Sequence, residues 1–147
     1  MSRLRIVPSK SFDALLTAAP GALEADGEMR RQIQKRINPR WYSLIGVTVV
    51  GMLGCERFVE HLRGPLDSAF ASQVANDWTK VSLSEAEKAI LSYAEKGTID
   101  EASVRRHDVD RLRHAGLADK DILLVATAIA YHNYSIRMAA AFDLIPR

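Results

Sequence analysis

Apolar residues recur along most of this chain at helical rather than strand spacing. Ser11 is placed to cap a short helix carrying Phe12, Leu15 and Leu16, which Pro20 and Gly21 stop. Residues 22–37 repeat weakly and end strongly basic. The Asn38-Pro39 pair breaks the chain there, because proline disfavours helix in the residue before it. Residues 40–53 are too apolar for a surface helix, with Trp41, Leu44, Ile45, Val47, Val49, Val50, Met52 and Leu53. Their β-branching would also suit a strand, but the segment lies between helical patterns without an evident partner strand, so it reads as a buried helix. Gly46 and Gly51 would let another helix approach it closely. Gly54 marks a break, Cys55 opens the next helix, and Gly64 with Pro65 ends or kinks it.

The second half is patterned more clearly. Ser84 and Glu87 form a capping box ahead of Ala86, Ala89, Ile90, Tyr93 and Ala94, and Gly97 is expected to end that helix. Ser103 is expected to cap a helix with Val104, Asp108, Val109 and Leu112, and Gly116-Leu117 has the form of a helix stop with a hydrophobic latch. Asp119 and Asp121 place negative charge where the dipole of a last helix, about 120–143, favours it. That helix would run about 35 Å. Residues 122–131 are apolar on nearly every side, so the domain itself or another subunit must wrap them. The expectation is an all-α single domain with no internal repeat.

Composition changes this picture little. The 147 residues suffice for one sizeable core, and 48% hydrophobic with 26% charged is an ordinary globular balance. A net charge of +2 calls for neither nucleic acid nor membrane. Arg30, Arg31, Lys35, Arg36 and Arg40 make a basic stretch, but Glu24, Asp26 and Glu28 precede it and no base-reading motif accompanies it, so it reads as a solvated or subunit-facing surface. The basic N-terminus leads into no long apolar segment, so no leader is expected, and the apolar runs fall far short of the ~20 residues that span a bilayer. A lone cysteine suits a reducing cytoplasm and offers no internal disulfide. The histidines lie on separate segments without metal-ligand spacing, and no phosphate loop is present, so neither metal nor cofactor is expected.

Candidate chemistry concentrates in Gly54-Cys55-Glu56-Arg57-Phe58-Val59-Glu60-His61-Leu62. On a helix opened by Cys55, Phe58 and Leu62 would share its face. A helix N-terminus favours a thiolate, but burial beside two apolar side chains disfavours it and is expected to win. His61 lies about 240° round an ideal helix from Cys55, off that face. His132 interrupts an apolar helix and needs a partner if buried; it could line a pocket with Tyr131 or Tyr134, or bond across a subunit boundary. Tyr42 and Ser43 could supply a weak polar wall. His107 and His114 look like surface residues.

These residues resemble a known family. The segment from Gly54 to His61 resembles the Cys-x-x-Cys-Val-Glu-His-His stretch of peroxidase-related proteins, in the carboxymuconolactone decarboxylase and alkylhydroperoxidase D-like superfamily. Asp77-Trp78 with residues 83–96, residues 109–122, and Ala130-Tyr131-His132-Asn133-Tyr134-Ser135-Ile136-Arg137-Met138-Ala139 are similar to later family segments in the same order. The likeness runs from about residue 40 to the C-terminus, which implies a helical core over 40–147 preceded by an N-terminal helical arm over 1–39. The resemblance implies an alkylhydroperoxidase D-like helical bundle that assembles as a dimer, trimer or hexamer, with an antioxidant, peroxidase-related role. In the family's redox enzymes two cysteines three apart reduce peroxides, helped by a histidine and a glutamate. Cys55 matches the first cysteine, but Phe58 stands at the second, Leu62 at the histidine and Ser43 at the glutamate.

The residues present therefore imply a degraded thiol redox site with weak or absent dithiol peroxidase activity. If thiol chemistry survives, Cys55 is the nucleophile and His61 or His132 the proton partner. A second expectation is a decarboxylase-like or other non-redox enzyme on a small organic substrate, using His132, Tyr131 and Tyr42, with Ser43, Phe58 and Leu62 lining the site. A third is a non-catalytic oligomeric interaction protein.

Overall fold

The computed structural model describes residues 11–146, which form helices and connecting turns with no strand among them. The α-helices are α1 (Phe12–Leu16), α2 (Ala22–Arg36), α3 (Pro39–Met52), α4 (Val59–Leu62), α5 (Ser68–Asp77), α6 (Glu85–Ile99), α7 (Arg106–His114) and α8 (Asp119–Ala141). The Ser11 hydroxyl caps α1 by accepting from the Ala14 N–H at 3.1 Å. Asn38 caps α3 through its side-chain oxygen, with Pro39 inside the first turn where its missing N–H costs nothing.

The 40–53 segment is the buried helix its pattern predicts. Every residue from Ser43 to Val50 is buried, and α5, α6 and α8 pack around it. Both of its glycines are contact points. A side chain at Gly51 would run into the Ala75 carbonyl of α5, and one at Gly46 would come within 2.9 Å of the His132 ring of α8. The capping box at α6 forms as expected, with Ser84 and Glu87 exchanging hydrogen bonds of 3.1 Å. The other Glu87 oxygen takes the Arg40 guanidinium at 2.8 Å, which ties the start of α3 to the start of α6. Burial pushes the Glu87 carboxyl up, but the Ser84 N–H and the Arg40 charge outweigh it and hold the group below the ordinary range.

Three local expectations are corrected. Cys55 does not open an α-helix. It precedes a single 3-10 turn, Glu56–Phe58, which leads into the one-turn α4. Gly97 does not end α6, which runs on to Ile99. Ser103 does not cap α7; its hydroxyl donates to the Asp100 carbonyl, and Asp108 accepts from the Arg105 N–H at 2.8 Å at the start of that helix. The α7 stop does form: Gly116 has φ of 101° and the Leu117 N–H returns to the Leu112 carbonyl. The helix α5 carries no strong apolar pattern in the sequence.

Paired substitutions test the glycine contacts. Gly51→Ala must separate α3 from α5, and after the gain in helix propensity a net loss of about 2 kcal/mol is expected in urea unfolding. Gly97→Ala meets only the Ile129 methyl, at an ordinary 3.7 Å, and is expected to gain about 0.5 kcal/mol.

Candidate functional site

Proline at 39 starts α3, so Tyr42 and Ser43 fall in its first turns, facing the end of α2 and the turn after α4. A cavity of about 270 Å³ lies between these elements, lined by Gln34, Ile37, Pro39, Tyr42, Ser43, His61, Leu62, Gly64 and Pro65. Four of the sequence-derived candidates, Tyr42, Ser43, His61 and Leu62, thus meet at one place. Gly64 has φ of 50° and sits directly over Ser43, where a side chain on Gly64 would come within 2.5 Å of the Ser43 hydroxyl. The cavity wall is largely apolar and holds no carboxylate. It offers the Gln34 amide, the Ser43 hydroxyl and the exposed His61 imidazole.

Tyr42 is held on its inner side by His132. The two rings lie 4.4 Å apart, and His132 Nε2–H donates to the Tyr42 carbonyl at 3.0 Å. That bond fixes the tautomer and leaves Nδ1 with a lone pair that meets no donor among the described residues. His132 is 1% exposed, and its burial lowers the imidazole pKa to about 4, only partly offset by the Tyr42 carbonyl, so the ring is neutral at pH 7. Burial raises the Tyr42 phenol to about 12. Its oxygen is enclosed beside the Gln34 side chain, with no contact of full hydrogen-bond geometry. Tyr42 therefore stays protonated at pH 7, with its hydroxyl enclosed behind the cavity wall.

The remaining candidates are not gathered there. Cys55 is half-buried rather than buried and does not line the cavity; its thiol donates to the Leu53 carbonyl at 3.6 Å. Phe58 is in the core with the Arg57 guanidinium over its ring, and Cys55, with φ of −107° and ψ of 44°, lies outside the helical turns, so the two do not share a regular helix face. Tyr131 is buried on another side of α8, where its hydroxyl donates to Asp26 at 3.2 Å. Burial and the Asp26 charge raise its pKa. It lines a shallower hollow with Met29 and Tyr134. His132 lines neither space. Gln34, Ile37 and Pro39 were not anticipated as site residues, because only tertiary packing brings the end of α2 to the α4 turn. Among the described residues no group of histidine, cysteine and carboxylate side chains is arranged to hold a metal ion. No helix among them is long and apolar enough to cross a membrane.

The state of His132 predicts a pH effect. The folded pKa lies below the unfolded value of 6.5, so the stabilisation is complete above pH 6.5 and is lost as pH falls through 4. Chemical unfolding across that window should show a loss on the order of 3 kcal/mol for the wild type beyond that of His132→Gln. Parallel pH profiles for the two proteins would contradict the buried neutral imidazole.

No protein-family model matches the sequence, and no curated protein matches it significantly. Solved structures do. A peroxidase-related protein from Silicibacter sp. TM1040 is 20% identical with a TM-score of 0.76, the match covering 92% of this chain and 75% of that one. An alkylhydroperoxidase AhpD core protein, peroxidase-related, from Ralstonia eutropha JMP134 is 22% identical with a TM-score of 0.71, covering 92% and 76%. At these identities the likeness is one of fold. The helices of this chain are therefore arranged as in the alkylhydroperoxidase D-like core of the peroxidase-related proteins.

Proposed function

We propose that this chain is an alkylhydroperoxidase D-like, peroxidase-related protein whose thiol redox site is degraded and whose dithiol peroxidase activity is weak or absent. The observation that carries this reading is the separation of the thiol from the cavity. Cys55 Sγ is engaged with the Leu53 carbonyl, while Ser43 and Leu62 occupy the cavity wall. A peroxidatic cycle needs a thiolate that is oxidised to a sulfenic acid and a second thiol that closes a disulfide. The chain has one cysteine, and Phe58 fills the position of a second. The histidine nearest the site, His61, is exposed at the cavity rim, and the buried one, His132, is neutral and spent on a backbone carbonyl.

A second reading rests on the cavity itself. Its size, its serine hydroxyl and its lack of charge suit a small organic molecule, so a non-redox, decarboxylase-like enzyme remains the alternative role of this pocket, with Ser43 as its donor and Leu62 as its apolar wall. We place the protein in the cytoplasm, where a single free thiol persists.

Self-association is part of the proposal. Leu123, Ala130 and Tyr134 form an exposed strip along α8, with Met29 of α2 beside them. Among the described residues this strip is left exposed, and a second copy would cover it.

Steady-state peroxide consumption with added thiol is expected to be equal for wild type and Cys55→Ser. A wild-type rate that depends on Cys55 would overturn the degraded-site reading. Light scattering is expected to give a multiple of 16.3 kDa, and Leu123→Asp is expected to shift the population toward the single chain. A monomeric wild type would refute the covered strip.

A further inference from the structure

A larger hollow, of about 820 Å³, opens between α6 and α7 and shares no residue with the Tyr42 cavity. Its floor is aliphatic and aromatic, with Val81, Ala89, Tyr93 and Ala115. Trp78 forms one wall and is pinned there, because its indole N–H donates to Glu95 at 3.1 Å. The aromatic surface is thus preorganised.

The charged side chains around this floor are not equivalent. Glu85 is paired with Lys88 at 3.0 Å, and the buried Asp108 with Lys96 at 2.9 Å. Asp108 also accepts from the Arg105 N–H, so its oxygens are committed to the fold. Arg111 is different. It meets no carboxylate at ion-pair distance among the described residues, although Arg113, two positions away, holds both Asp110 and Asp119. Arg111 stands one helical turn from His107 and one from His114, on the same face of α7. His114 Nδ1–H donates to the Asp110 carbonyl at 2.8 Å, so that ring is held by its own helix. Glu85 and Asp108 are neutralised, then, while the Arg111 guanidinium remains without a carboxylate partner above an aromatic floor.

We propose that the groove between α6 and α7 binds a small aromatic anion, a planar ring bearing a phosphate or carboxylate. The ring lies against Trp78 and Tyr93, where burial and stacking favour it. The anionic group pairs with Arg111, whose planar fork suits both oxyanions. This site is independent of Cys55 and of the Tyr42 cavity, so it stands or falls apart from the peroxidase-related reading.

Calorimetric titration of the full chain with 1-naphthyl phosphate, 1-naphthoate, 1-naphthol and inorganic phosphate tests the proposal. Saturable one-to-one binding is expected for at least one aromatic anion, whichever oxyanion the site prefers, with 1-naphthol and inorganic phosphate weaker by about tenfold or more. Arg111→Gln is expected to weaken the preferred anion by about tenfold. Arg113→Gln, which removes a charge already held by two carboxylates, should bind it as the wild type does. Arg111 is exposed, and thermal melting by circular dichroism checks that its replacement stays folded. The proposal is overturned if neither anion saturates, if 1-naphthol binds as tightly as the anions, or if folded Arg111→Gln binds unchanged.

Discussion

The arrangement depends on two side chains that are missing. α3 is buried from Ser43 to Val50 and has to be approached from several directions at once. Ordinary ridge-into-groove packing keeps helix axes about 8–10 Å apart, with side chains between them. At Gly46 and Gly51 there is no side chain, and the partner comes to the backbone itself: an imidazole from α8 at one, a carbonyl from α5 at the other. The first of these approaches lets His132 reach the Tyr42 carbonyl, one turn back along α3. That contact sets the inner wall of the small cavity, because the same imidazole supports the Tyr42 ring.

α8 spreads its polar side chains around this centre. Consecutive residues on a helix point about 100° apart. Tyr131 therefore reaches Asp26 on α2, His132 reaches α3, and Asn133 reaches Thr98 on α6. One turn later, Arg137 bonds both Asn133 and the Thr98 carbonyl, which puts a cation at the C-terminal end of α6 where the helix dipole favours it. Three neighbours are thus keyed to three successive positions of one helix. Burial of polar groups costs stability unless each finds a partner. Here the partners also fix the rotation of α8, since turning it by one residue would break all three contacts.

The parts of this fold that were legible in the sequence are those decided within a few residues. Ser11, the Ser84 and Glu87 pair and Gly116 act on their own helix ends, and each does what its chemistry dictates. α5 was not legible, because its buried residues are Ala71, Val74 and Ala75, too small to make a strong apolar stripe against Ser72, Gln73 and Asn76. Gly97 and Ser103 misled because tertiary packing and Asp108 overrode the local signal. The face shared by Cys55, Phe58 and Leu62 failed for a different reason. It assumed that Cys55 is itself helical, and its backbone, with φ of −107° and ψ of 44°, stands outside the turn that begins at Glu56. The cavity joins the end of α2 to the turn after α4, and no periodicity within either segment could have announced it.

On the reading proposed above, the residues that stand at 43, 58 and 62 are consistent with one another. Phe58 is 2% exposed and Leu62 is buried, so both belong to the core that holds α4 in place. Ser43 is small enough to lie under Gly64, whose positive φ is tolerated without strain by glycine. A glutamate at 43 would need either to displace that turn or to place its carboxylate in a cavity with no lysine or arginine on its wall. Cysteine at 58 would remove an aromatic ring from the core, at a cost of about 3 kcal/mol. On the reading proposed above, thiol chemistry cannot be regained by restoring one residue, because each replacement has been absorbed into packing. What this region then offers a ligand is shape and hydrogen bonding from Ser43 and Gln34.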